Sequence, residues 1–186
     1  MYYKKLNVND IIRYNKDLFK AFKDNSLILD EQCNLHFDYY IDFGNFLIKY
    51  VLATDSMVIG IFDCNKCQGY VILDNIRMTE ENSCAQVHIA ISKELRGKKA
   101  LRILKEIRDN SNLEMFYAEI PSIAIHAINV CKKLGFKKTG YIPKNMPYTN
   151  ALGQVKMYDT FIYVYRSDID REIKKELESI LSEINN

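Results

Sequence analysis

The chain has 186 residues, 48% hydrophobic and 27% charged, the balance of an ordinary globular protein. Its formal net charge of only +2 excludes a general nucleic-acid binder, which needs a basic surplus to displace phosphate counterions. Thirteen Tyr and nine Phe give one domain enough core volume to do without a disulfide or metal staple.

Residues 2–7 read as a short strand. Asn9 then opens a helix ending near Asn25, with Ile12, Phe19 and Phe22 as inward candidates. A second helix is expected over 35–53, where Phe37, Tyr40, Ile41, Leu47, Ile48 and Val51 recur at helical spacing, weakened locally by Gly44. Three strands follow: "MVIGIF", "QGYVILDNIRM" and "CAQVHIAIS". The polar connections "DCNKC" and "TEENS" are short enough to make them antiparallel neighbours. A helix is expected from 96 to about 111, then a strand "LEMFYAEI" bounded by Pro121, and a helix "SIAIHAINVCKKL" stopped by Gly135. A strand at 136–142, a polar loop at 143–154 holding Pro143 and Pro147, and the strand "VKMYDTFIYVYR" complete the domain. Strand, crossover helix and strand in the middle imply one parallel pair inside a mixed, mostly antiparallel sheet flanked by helices, an α/β layer fold.

Domain organisation is read as a single unit over 1–166, to which 167–186 append an amphipathic helix. Ser167 and Asp170 open that helix, and Ile169, Ile173, Leu177, Ile180 and Ile184 line one face. The stripe either docks on the parent domain or binds a partner, including a second copy of the chain. The opening "MYYKKLNVND" lacks a signal-peptide core, and no apolar run reaches the roughly 18 residues of a membrane span. Five Cys in that context point to a reducing, cytoplasmic setting with no membrane partner.

The stretch "AISKELRGKKALRILKEI", residues 90–107, concentrates positive charge where a strand becomes a helix: Arg96, Lys98, Lys99 and Arg102. The start of a helix carries unpaired N–H groups and the positive end of its dipole, so added cations suit a diphosphate. The same charges also fit a solvated helix start.

"VHIAISKELRGKKALRIL" with "YAEIPSIAIHAINVCKKLGFKKTGY" resembles the GCN5-related N-acetyltransferase (GNAT) superfamily over roughly residues 56–165. The resemblance implies a strand that splays from its neighbour and binds the pantetheine arm of acetyl-CoA, here through Ile89 and Ile91. It also implies a diphosphate loop at Arg96, Gly97, Lys98, Lys99, Ala100 and Leu101. The helix ending in Leu134-Gly135-Phe136 matches the family's second signature, with Ala127 at its usual small position.

The chain departs from that pattern at Lys99 and Leu101 in the loop. It also carries Ala124 and Cys131 where the family has an Asn and a Tyr that protonates the departing thiolate. Cys131 is thus either the proton donor or a buried structural thiol. His88, on the strand before the loop, is either the amine's base, with a suitable intrinsic pKa near 6.5, or a structural residue.

The form "IPSIAIHAINVCKKLGF" is most similar to GNAT-like proteins encoded by bacteriophages. Two functions follow. One is N-acyl transfer from acetyl-CoA to an unidentified small or protein amine. The other is a GNAT-like protein without chemistry, serving binding or particle assembly in a virion. The pairs Cys33/His36 and Cys64/Cys67 have zinc-like spacing, but "DCNKCQ" reads equally as a hairpin turn with Asn65 and Lys66 at its tip. Ordinary reduced thiols and no metal are expected.

Overall fold

The computed structural model describes residues 1–25, 37–79, 82–149 and 154–167. Seven strands form one sheet in the order β1-β2-β3-β4-β5-β7-β6. They are β1 (Tyr2–Lys5), β2 (Met57–Asp63), β3 (Lys66–Met78), β4 (Ser83–Ile91), β5 (Met115–Pro121), β6 (Lys137–Thr149) and β7 (Val155–Arg166). Only β4 and β5 run parallel, and every other neighbouring pair is antiparallel. The expected α/β architecture is present. The appended helix lies outside the described residues.

Alternation along the strands divides the core in two. Val71 and Leu73 of β3, Ala85 of β4, Phe116 and Ala118 of β5 and Tyr163 of β7 share one cluster. Into it α3 (Lys98–Asn110) and α4 (Ile125–Lys133) insert Ile103, Leu104, Ile107, Ile128 and Cys131. Tyr70, Ile72 and Ala90 face the other side, under α1 (Val8–Lys23) and α2 (Tyr40–Leu52), where Phe22 and Phe43 stack at 4.8 Å.

α1 begins at Val8, one position earlier than the sequence reading places it, with Asn7 as its cap. The Asn7 side chain accepts from the Asp10 N–H at 2.9 Å, and the Asp10 carboxylate accepts from the Asn7 N–H at 3.2 Å. That reciprocal cap, worth about 1 kcal/mol, fixes the start of the helix. Ile11 is fully buried and Ile12 is exposed, a correction to the expected inward face. Tyr40 and Ile41 of the predicted second stripe are exposed as well, while Phe43 and Leu47 carry the contact. Gly44 is no defect in α2. A Cβ there would lie 2.4 Å from Asn15 Nδ2, so its absence lets the two helices meet.

Two further expectations are corrected. Asp63 pairs with Lys66, so the hairpin tip is Cys64-Asn65, with Cys64 at φ 53°. Cys67 is buried opposite Phe62, away from the exposed Cys64. The predicted 143–154 loop is instead largely strand: β6 continues to Thr149, paired with β7 as far as Val155. Pro143 falls in the irregular stretch between Ile142 and Met146, and β6 is an edge strand, where proline's missing N–H costs no ladder bond.

Candidate functional site

Pairing between β4 and β5 is confined to Cys84–Met115, Ala85–Phe116 and Gln86–Tyr117. Beyond that point the two strands part, leaving 87–91 facing 118–121 across a gap at their C-terminal ends. Such ends are where open α/β sheets collect ligands. The Ser92 N–H donates to the Gln68 carbonyl at 2.8 Å, so even-numbered residues of β4 turn their backbone groups toward β3. By the same alternation the backbone groups of Ile89 and Ile91 face the gap. Asn25 reaches that edge from the end of α1, its amide donating to the Ile91 carbonyl at 2.9 Å.

Past β4 the chain makes a 3-10 turn at Lys93–Leu95 and enters α3 through Gly97. Gly97 has φ 106° and ψ −150°, a region that essentially only glycine occupies. Among the described residues no side chain caps α3, so its first N–H groups are open to a ligand, flanked by the exposed Lys98 and Lys99. Ala100 is buried against the sheet and Leu101 packs at the edge of the same cluster. Arg96, expected in the diphosphate loop, donates from Nη2 to the Asp24 carbonyl at 2.6 Å and so ties the loop to α1. The Asp24 carboxylate also accepts from the Lys93 N–H at 2.9 Å, and Lys20 pairs with Glu94.

The two sequence-derived catalytic candidates lie on opposite sides of the sheet. His88 stands just past the last β4–β5 pair, opposite Ile72 and on the α1/α2 face with Asp74 and Gln86. Burial lowers its pKa from 6.5, and the Asp74 charge partly opposes that shift. A bulge in β3 at Asp74–Arg77 shapes this neighbourhood. Asn75, at φ 51°, donates from its backbone N–H to the Asp74 carboxylate at 2.9 Å and from its amide to Gln86 Oε1 at 3.4 Å.

Cys131 is on the other face, 6% exposed, beside a cavity of about 30 Å³ that Val87, Ile89, Phe116 and Phe136 also line. Burial pushes its thiol up to about 12. Gly135, at φ 87°, ends α4, and Phe136 folds back so that its N–H donates to the Cys131 carbonyl at 3.0 Å.

Tyr117, which sequence reasoning did not single out, stands at the parting point on the face of His88. Its one available signal was its alternation with Phe116 and Ala118. Among the described residues, no group of three or more His, Cys, Asp or Glu could hold a metal ion. Cys33 and His36 of the zinc alternative lie outside those residues. No described helix is long and apolar enough to cross a membrane.

A family of acetyltransferase (GNAT) domains matches residues 8–151, and the chain belongs to that family. The fold agrees with solved structures of bacterial acetyltransferases. Spermidine N-acetyltransferase from Vibrio cholerae, in complex with CoA and spermine, is 15% identical with a TM-score of 0.68, covering 90% of this chain and 95% of that one. Ribosomal-protein-S5-alanine acetyltransferase from Vibrio fischeri is 17% identical with a TM-score of 0.65, covering 89% and 92%. A probable GNAT-family acetyltransferase from Chromobacterium violaceum is 16% identical with a TM-score of 0.68, covering 88% and 81%. No curated protein matches the chain in sequence. None of these bacterial relatives supports the phage resemblance.

Proposed function

We propose that the chain transfers an acetyl group from acetyl-CoA to the nitrogen of an amine. The observation that carries this reading is the parting of β4 from β5 beyond Gln86–Tyr117, beside the uncapped, lysine-flanked start of α3. In this reading the pantetheine arm lies along β4 and bonds the backbone of Ile89 and Ile91. The diphosphate rests on the amides from Gly97 to Leu101, with Lys98 and Lys99 adding charge and Arg96 holding the turn in place. Holding thioester and amine together, with amide donors near the thioester oxygen, supplies much of the rate.

His88 takes the proton from the attacking nitrogen. Its lowered pKa keeps the imidazole neutral, and therefore able to accept, at pH 7. Cys131 is the weaker of the two assignments, because its thiol sits among apolar side chains on the far face. Spermine in the Vibrio cholerae structure makes small polyamines the first acceptors to try, and the alanine acetyltransferase makes protein N-termini the second.

Titration with acetyl-CoA and with CoA by calorimetry tests the cofactor. Release of free thiol in the presence of spermidine, spermine and N-terminal peptides tests the acceptor. Micromolar binding is expected. Absence of binding to either nucleotide would end the enzyme reading and favour the assembly role, to which Lys99, Leu101, Ala124 and Cys131 already lean.

A further inference from the structure

We infer that Tyr117 gives the departing CoA sulfur its proton, taking the role for which the α4 signature offers only Cys131. The inference rests on the acetyl-transfer reading above and names a residue within that site.

The argument is geometric. Gln86 and Tyr117 form the last registered β4–β5 pair, so the Tyr117 side chain stands at the apex of the gap where the thioester must lie. Phe116, Ala118 and Ile120 of β5 point into the α3/α4 core, which puts Tyr117 and Glu119 on the face shared by Gln86 and His88. Acid and base then share one face, His88 lying two residues along β4 from the partner of Tyr117. Cys131 stands beneath them, in the apolar cavity on the other side of the sheet.

Tyr117 is half-buried and close enough to Cys84, Glu119, Asp74 and Arg77 to feel their charges. Burial first, then Cys84, Glu119 and Asp74, raise its pKa above 10, while Arg77 opposes them. The phenol therefore keeps its proton at neutral pH.

The step balances without a further reactant. The neutral amine's nitrogen forms a bond to the acetyl carbon, and His88 takes one proton from that nitrogen. The C–S bond breaks, and the sulfur takes the phenolic proton of Tyr117. The imidazolium returns its proton to the phenolate through water, which leaves N-acetylamine and CoA thiol.

The test needs no acceptor. Affinities for CoA and for desulfo-CoA, which lacks the sulfur, are measured by calorimetry at pH 9 on the whole chain. A phenol that serves the thiolate gives a charge-assisted hydrogen bond, so the parent protein should prefer CoA by about tenfold. Tyr117→Phe should abolish that preference and Cys131→Ala should keep it. If Tyr117→Phe does not fold, 3,5-difluorotyrosine at position 117 keeps the shape and moves the pH at which the preference disappears to a lower value. A preference that survives Tyr117→Phe or is lost in Cys131→Ala overturns the inference. So does the absence of any preference in the parent. Binding of neither nucleotide is a different result: it removes the acyl-CoA reading itself.

Discussion

Arg96 fastens the turn after β4 to the end of α1, its Nη2 donating to the Asp24 carbonyl at 2.6 Å. The neighbouring Lys98 and Lys99 are exposed and free of any such structural bond to α1. The three cations thus divide into one that positions the turn and two that offer charge. Lys98→Ala with Lys99→Ala should weaken acetyl-CoA binding by roughly fivefold for each cation, about 1 kcal/mol apiece, at low salt. Raising the ionic strength to 1 M should remove most of the difference, since exposed charges are then screened beyond about 3 Å. Arg96→Ala should cost affinity nearly equally at both salt concentrations. Calorimetry at two salt concentrations checks all three.

Gly97→Ala places a side chain at φ 106°, although none of the described residues lies within 4 Å of the new Cβ. The cost is therefore backbone strain rather than a clash, about 1–3 kcal/mol. It should appear as a lowered urea midpoint together with weaker CoA binding, because relief of the strain swings the first amides of α3. A midpoint equal to that of the parent would show that another residue can occupy this turn.

His88 links stability to acid pH. Its folded pKa lies below the unfolded value of 6.5, so the unfolded chain binds more protons in the interval between them. Its contribution is fully present above pH 6.5 and is lost as pH falls through the folded value. His88→Gln should flatten that part of the stability profile. The acid limb of kcat/KM should lie below pH 6.5 in the parent and disappear with the substitution, leaving a rate lower by about 10²-fold or more.

Buried thiols act in the opposite direction. Burial pushes both Cys67 and Cys131 from 9.0 up to about 12. Their unfolded forms lose protons first, so stability is intact below pH 9 and falls as pH rises toward 12. Each thiol steepens the decline by about 1.4 kcal/mol per pH unit. Cys131→Ala should remove one proton's worth of that slope, read from denaturation curves at pH 8 and 10, at a cost of about 1–2 kcal/mol for the enlarged cavity.

The turn after β4 is legible in local chemistry, because cations gather there and Gly97 takes a positive φ, as does Gly135 in the "LGF" ending that was read through the family resemblance. Elements with one buried face also read well, because alternation and helical spacing record that face. The misplacements are shifts of phase. One residue is about 100° around a helix, so reading the inward face of α1 one residue out at its start exchanges Ile12 for Ile11. The hairpin tip moved by one residue for the same kind of reason. The second half of β6, beyond the strand expected at 136–142, was hidden because an edge strand tolerates the prolines that usually break one. The place of Tyr117 was hidden because it is set by where two strands cease to pair, which no local window of sequence contains.

β7 lies between β5 and β6, so the strand that backs one wall of the cleft is the last described strand to leave the ribosome. Until about residue 166 has emerged, β5 has no partner on its far side and the site has no firm second wall. Nascent chains that expose every other part of the domain should therefore still be unable to hold acetyl-CoA, and competence should arrive in one step late in synthesis.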